Sequence, residues 1–146
     1  MSIKVSAVRY PIDAANIVRA ESAGAVTAAT VTESRALGKL AAYWNADELA
    51  MPEYVALVIF VTAKETVDGD EKYAASVEVA ADEAFTTATT VVSVPDLKLG
   101  QNVIAVARDQ VLAADADATH IRLAVTPSGT TPSIDFWAQL SPLVGR

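Results

Sequence analysis

The chain has 146 residues, a net charge of −7 and no cysteine. This length is typical of one domain with its own hydrophobic core, and the lack of cysteine excludes disulfides, thiolate nucleophiles and thiolate metal ligands. The acidic excess disfavours nucleic acid as a partner, and no run reaches the roughly 18 apolar residues of a membrane span. The first ten residues lack the apolar core of a signal peptide, so we expect a protein that is made in the cytoplasm and does not bind membranes.

The first 24 residues differ from the rest of the chain. Pro11 interrupts any continuous element there, and residues 1–44 carry a balance of +2 against −9 for residues 45–146. We therefore expect an N-terminal arm or edge segment over residues 1–24 and a single domain over residues 25–146. Apolar side chains of the arm are candidates for contact with a neighbouring protein: Ile3, Val5, Tyr10, Ile12 and Ile17.

From residue 25 onward, short runs rich in valine and threonine recur at similar intervals, with polar turns between them. Such spacing is typical of an all-β sandwich or barrel. Eight strands in a chain of this size favour a two-sheet antiparallel sandwich of jelly-roll type. The predicted strands cover residues 25–31, 37–44, 54–62, 73–80, 88–94, 102–107, 119–126 and 133–140. A loop or single helical turn is predicted at 45–52, and a longer loop is predicted at 109–117 with a helical turn at 110–114.

The hydrophobic patterns of individual strands predict their surroundings. Residues 54–62 are almost continuously apolar, which indicates burial on both faces of the strand. Residues 119–126 alternate, so Ile121 and Leu123 are expected inside while His120 and Arg122 point outward. Adjacent Phe136 and Trp137 must point to opposite faces of one strand. One of these two rings is therefore core, and the other is exposed or at an interface.

No set of residues predicts catalysis, and no cofactor or metal site is predicted. His120 is the single histidine, and we interpret it as a surface residue of a strand because a general base or metal site needs partners. A solvated hairpin turn explains the acidic group of Asp68, Asp70 and Glu71 better than a calcium loop, because the spacing and flanking helices of an EF-hand are missing. A second acidic group is Asp109, Asp115 and Asp117, and one carboxylate pair considered for glycoside hydrolysis is Glu78 and Asp135.

Aromatic side chains offer another kind of site. Trp44 and Trp137 could stack on sugars or lie at a subunit contact. Core packing explains most of the other aromatic residues, so we take these two tryptophans as interface candidates alongside the arm.

The arrangement from residue 53 onward resembles the jelly-roll capsid cement (decoration) proteins of tailed bacteriophages. The resemblance rests on a buried strand at 54–62, a turn and the strand at 73–80, and then an Asp-x-x-Phe segment formed by Asp82 and Phe85. A later strand carries His120-Ile-Arg-Leu123, and a Gly/Thr/Pro turn at 128–132 precedes the last apolar strand. The match covers roughly the C-terminal two thirds, and it implies that Asp82 caps a turn and that Phe85 fills the core.

The resemblance implies a structural virion protein with no active site. Such a protein binds the outside of the capsid and stabilises contacts between subunits of the major capsid protein. Its expected partners are that capsid protein and further copies of itself, as a dimer or trimer, and its expected location is the capsid surface. Two alternatives stay open: a carbohydrate- or receptor-binding sandwich module, and a neck or tail protein of a phage.

Overall fold

The structure is a computed structural model that describes residues 16–37 and 54–142. These residues form β-strands, a 3₁₀ turn at Glu21–Ala23 and the α-helix α1 (Arg108–Ala114). The predicted strand residues 38–44, the turn at 45–52 and the interface candidates Ile3, Val5, Tyr10, Ile12 and Trp44 lie outside the described residues. The strands are β1 (Ile17–Arg19), β2 (Thr30–Val31), β3 (Arg35–Ala36), β4 (Tyr54–Lys64), β5 (Lys72–Ala80), β6 (Thr89–Val94), β7 (Gly100–Ala107), β8 (His120–Ser128) and β9 (Ile134–Pro142).

The strands form two antiparallel sheets with the strand order of a jelly roll. Sheet A has the order β1-β9-β4-β7, and sheet B has the order β2-β8-β5-β6, with β3 also pairing with β8. Strand β1 thus pairs with β9, and both β2 and β3 pair with β8. In the middle of the nest, β4 pairs with β7 and β5 pairs with β6. This nested pairing, split between two sheets, confirms the predicted antiparallel sandwich of jelly-roll type.

The core lies between the two sheets and is built by alternate residues of the long strands. Sheet A contributes buried residues such as Leu57, Ile59 and Phe136, and sheet B contributes residues such as Val77 and Leu123. Each fully buried aliphatic or aromatic side chain stabilises the fold by about 1.5–3 kcal/mol. Three further buried side chains close the sides of the sandwich. They are Val18 in β1, Leu97 in the loop between β6 and β7, and Val111 in α1.

The N-terminal strands differ from the sequence prediction. The strand expected at 25–31 is only the two residues of β2, preceded by an isolated bridge between Val26 and Ile134. Ile17–Arg19, in the segment expected as an arm or edge strand, pairs with β9 at the edge of sheet A. These short strands carry no periodic pattern of their own, so they are strands only because β8 and β9 offer them free backbone groups.

The turn after β5 is fixed by Asp82, as expected for a capping residue. Its carboxylate accepts hydrogen bonds from the Thr86 backbone N–H at 3.1 Å and from the Thr86 hydroxyl at 2.7 Å. Phe85 has a φ of 53° in this turn and is buried, but it lies outside the main core cluster. Its ring packs under the Arg122 guanidinium, 4.2 Å from the ring centroid. Phe85 is therefore buried, as expected of a core residue, but it lies beside the main cluster and under Arg122 of β8.

The described helix does not have the length and apolar character that crossing a membrane requires.

Candidate interaction face

The two outer faces of the sandwich have different chemistry. On sheet B, the outward residues of β5 and β8 are charged, hydroxyl-bearing or small: Glu78 is opposite Arg122, and Ser76 is opposite Ala124. Glu78 and Arg122 form an ion pair at 2.9 Å. A polar outer face of this kind is normal for an antiparallel sheet with its other face on the core. Sheet B therefore needs no partner on its outside.

The outer face of sheet A, here called face A, carries no charge across four rows of paired residues. One row pairs Trp137 with Phe60 and Phe60 with Gln101, and the next aligns Ile17, Gln139, Val58 and Val103. The remaining rows are Ser141-Ala56-Ala105 and Tyr54-Ala107. Apolar surface that such a face leaves exposed to solvent marks an interaction site.

The burial of face A falls from its centre to its rim. Ala56, Val58, Gln139 and Ser141 are fully buried. Ile17, Phe60 and Trp137 are half-buried, Ala105 is exposed, and Val103 and Tyr54 expose 40% and 48% of their surfaces. Apolar surface therefore stays open to solvent around the rim. The continuous apolar run of β4 was predicted to be buried on both faces, and the structure confirms this for residues 55–59.

Phe60 and Trp137 form a stacked aromatic pair on face A. Their ring centroids are 4.2 Å apart, and the rings are 11° from parallel. Phe136, the neighbour of Trp137, is in the core, so the prediction that the two adjacent rings point to opposite faces is confirmed. Cross-strand register brings Phe60 and Trp137 together, and no local sequence signal predicts this pairing of residues far apart in the chain.

Two of the sequence-derived interface candidates lie on this face. Ile17 is the register partner of Gln139, which places it on the same side of sheet A as Trp137. Sequence reasoning missed the rest of the face, including Gln139, whose buried amide oxygen and nitrogen have no hydrogen-bond partner. An unpaired buried amide costs about 1–3 kcal/mol, so face A keeps a polar group where an aliphatic one would be more stable.

The residues considered for catalysis are not brought together. His120 is half-buried on the outside of β8, with its Nδ1 2.8 Å from the Thr119 hydroxyl oxygen. Glu78 faces outward on sheet B, whereas Asp135 is on β9 of sheet A, next to inward-facing Ile134 and Phe136. The sandwich core separates these two carboxylates, so they cannot act on one glycosidic bond.

The acidic turn between β4 and β5 holds a neighbouring loop. The Asp70 carboxylate accepts hydrogen bonds from the Thr130 N–H at 3.1 Å and the Thr130 hydroxyl at 2.7 Å. Asp68 accepts one from the Thr131 hydroxyl at 2.6 Å, and Glu71 accepts one from the Asp68 N–H at 3.2 Å. These carboxylates join the turn to the loop between β8 and β9.

In the loop after α1, the Asp115 carboxylate accepts a hydrogen bond from the Asp117 N–H of the same loop at 2.9 Å. Across residues 16–37 and 54–142, no three His, Asp or Glu side chains are grouped closely enough to hold a metal ion.

The junction of the two loops is expected to open in acid. The two hydrogen bonds from Thr130 lower the pKa of Asp70 below its usual 3.8. A carboxyl group with a lowered pKa contributes stability at higher pH, and this contribution is lost as the pH falls through the folded-state pKa. We expect the protection factor of the Thr130 amide to hold at pH 5 and to fall only below about pH 4.

The matched variant for this experiment is Asp70→Asn, which cannot ionise. It should remove the acid dependence of the Thr130 protection factor while leaving the protection factor of Ile134, which bonds to the backbone of Val26, unchanged. A protection factor at Thr130 that still falls in acid in Asp70→Asn would contradict the assignment.

Comparisons with protein-family models, curated proteins and solved structures find no match to this chain. The function is therefore argued from the residues and geometry of the chain itself.

Proposed function

We propose that this chain is a structural protein of a bacteriophage particle that docks the solvent-exposed rim of face A on the outside of the capsid. In this role it stabilises contacts between subunits of the major capsid protein, and its location is the capsid surface. The observation that carries the proposal is the contrast between the four uncharged rows of face A, with exposed aromatic and aliphatic side chains at their rim, and the polar outer face of sheet B. The resemblance of the sequence to capsid cement proteins supplies the kind of partner.

The chemistry of face A supports a protein partner over other classes. Cores of protein interfaces are depleted in charge and enriched in aromatic residues, as are the rows around Phe60 and Trp137. Nucleic acid requires cations facing its phosphates, and face A has none in its four rows. Binding of such a face to an assembled shell stabilises the shell by mass action, because the free subunits do not bind it in the same geometry.

A sugar-binding role is the alternative that Trp137 raises. A sugar ring stacks on a flat aromatic face that is open to solvent, but Phe60 covers one face of the Trp137 ring and the side chain is half-buried. A neck or tail protein would use the same face with fewer copies per particle. The number of copies bound per particle separates the neck or tail role from capsid binding, and binding of glycans separates the sugar-binding role.

The test is co-sedimentation with undecorated shells of the major capsid protein encoded in the same genomic neighbourhood. We expect saturable binding at a fixed ratio to capsid subunits and a higher melting temperature of the shell. Binding to a few sites per shell would favour the neck or tail role. No binding to shells, together with quenching of tryptophan fluorescence by glycans, would replace the proposal by the sugar-binding role.

Ile17→Glu is expected to weaken shell binding by about tenfold or more, because it buries an unpaired charge in the docked face. The matched control is Val31→Glu, which changes another β-branched residue on a short edge strand, but on sheet B. Circular dichroism would verify that both variants fold. Equal affinities of the two variants for shells would exclude face A as the docking surface.

A further inference from the structure

The strand β7 is a long, regular and uncharged sheet edge. Among residues 16–37 and 54–142 its only strand neighbour is β4, so β7 is an edge strand of sheet A within this part of the chain. Its eight residues pair with β4 in unbroken register from Gly100 to Ala107. None of the eight is charged or a proline. Exposed edges of this kind are templates for pairing with another strand, and proteins usually protect them.

The other edges are protected in the ways expected of a soluble sandwich. Strands β1, β2 and β3 have two or three residues each, and β1 and β3 carry Arg19 and Arg35. Strand β6 is irregular, since its register with β5 shifts between Val77 and Glu78. Short strands, charges and bulges all discourage pairing between edges. Among the described edge strands, β7 is thus the exception, since it has none of these features.

The free backbone groups of β7 can be assigned from its geometry. The Ala107 N–H donates a hydrogen bond of 2.8 Å to the Gln110 side chain in α1, so it points away from β4. Because residues along a strand alternate in the direction of their N–H and C=O groups, those of Val103 and Ala105 also point to the free edge. The side chains of these two residues lie on the outer side and are exposed.

Exposed apolar side chains cluster around this edge. Six large hydrophobic side chains are exposed among the described residues, and four of them lie on β7 or beside it. Val103 is in the strand, Leu99 directly precedes it, Leu112 is in α1 directly after it, and Tyr54 is the β4 partner of Ala107. Leu99 is 64% exposed and Leu112 is 47% exposed. Such clustering marks an interaction surface.

We propose that two copies of this chain associate through β7, antiparallel and about a two-fold axis at Val103. Val103 then faces its own copy, and Gln101 faces Ala105 of the other copy, with two backbone hydrogen bonds for each pair. Leu99 comes opposite Ala107 of the other copy, close to the start of its α1. The β7 edge is self-complementary. It carries no charge that would repel a second copy, and in the antiparallel arrangement each free N–H of one copy faces a free C=O of the other.

This association joins the two A sheets into one and makes their A faces continuous across the axis. A dimer would therefore carry the exposed rims of two A faces on one side, while both polar B faces stay in solvent. The inference concerns how the chain binds itself and goes beyond the proposed function, since it holds whether or not face A binds a capsid.

The register is tested with a single introduced cysteine, since the natural chain has none. In a hydrogen-bonded antiparallel pair the Cα atoms are about 5.5 Å apart, within the range of a disulfide. Val103→Cys should be captured as a covalent dimer under mild oxidation, whereas Ala105→Cys and Val31→Cys should stay largely uncoupled. Equal coupling of all three variants, or none at Val103→Cys, would overturn the proposed register.

The association itself is tested by analytical ultracentrifugation of the full chain over a range of concentrations. The natural chain should sediment as a dimer, and Val103→Lys should raise its dissociation constant at least about tenfold, because it sets two like charges directly opposite each other. Val31→Lys, at a similarly exposed valine on sheet B, should leave the dimer intact. A natural chain that is monomeric throughout, or equal dissociation of the two variants, would overturn the proposal even where shells are bound.

Discussion

Gly129→Ala is expected to destabilise the protein by about 3 kcal/mol or more, the sum of a strained backbone and a steric overlap. Gly129 has a φ of +109°, which side chains other than hydrogen rarely allow. A Cβ at this position would lie 2.7 Å from the Cα of Glu71 and 2.9 Å from the carbonyl oxygen of Asp70. Both of these contacts are with backbone, so no flexible side chain can move aside.

The reason for this close approach is the junction of the two loops at one end of the sandwich. Asp70 binds Thr130, the residue after Gly129, and this brings the backbones of the two loops together. An alanine must therefore either break the hydrogen bonds of Asp70 or displace β5 relative to β8. We expect the melting temperature to fall by about 6–12 °C.

Gly69→Ala is the matched control, since Gly69 also has a positive φ, of +79°, but a Cβ there would meet no atom within 4 Å. It should cost about 1–2 kcal/mol, from the backbone conformation alone. Thermal unfolding of the two variants separates the cost of the backbone conformation from the cost of the steric overlap at Gly129. Equal losses of stability in the two variants would show that Gly129 is not kept by the close approach of the loops.

The long strands of this fold could be predicted from the sequence because their pattern is local. The alternation of Ile121, Leu123 and Val125 sets the inner face of β8 by itself, and the structure confirms it. The helical turn expected near 110–114 is present as α1, which begins slightly earlier. These elements carry enough apolar residues at a fixed period for the pattern to decide their structure.

The short edge strands and face A could not be predicted in the same way. Strand β1 has too few residues to show a period, and its structure depends on pairing with β9, more than a hundred residues later. Face A depends on the register that aligns β1, β9, β4 and β7, because only this alignment gathers Ile17, Val58 and Trp137 into one surface. A sequence shows which residues are apolar, whereas the surface they form is decided by long-range pairing.

Tyr73→Phe is expected to lower the free energy of unfolding by about 2 kcal/mol, because it removes one hydroxyl that serves two backbone groups. Tyr73 is fully buried. Its hydroxyl donates a hydrogen bond of 2.5 Å to the Glu65 carbonyl oxygen and accepts one of 3.1 Å from the Ser133 N–H. The ring itself stays in the core after the substitution, so the loss measures these two hydrogen bonds and not a cavity.

The matched control is Tyr54→Phe, the same chemical change at a tyrosine that is 48% exposed, which should alter stability by less than about 0.5 kcal/mol. Denaturant unfolding of both variants gives the comparison. In Tyr73→Phe, the Ser133 amide should also exchange faster with solvent, because its acceptor is gone. Equal stability of the two variants would mean that water replaces the hydroxyl at no cost. The loops would then be held by the carboxylates of Asp68 and Asp70 instead of by the buried tyrosine.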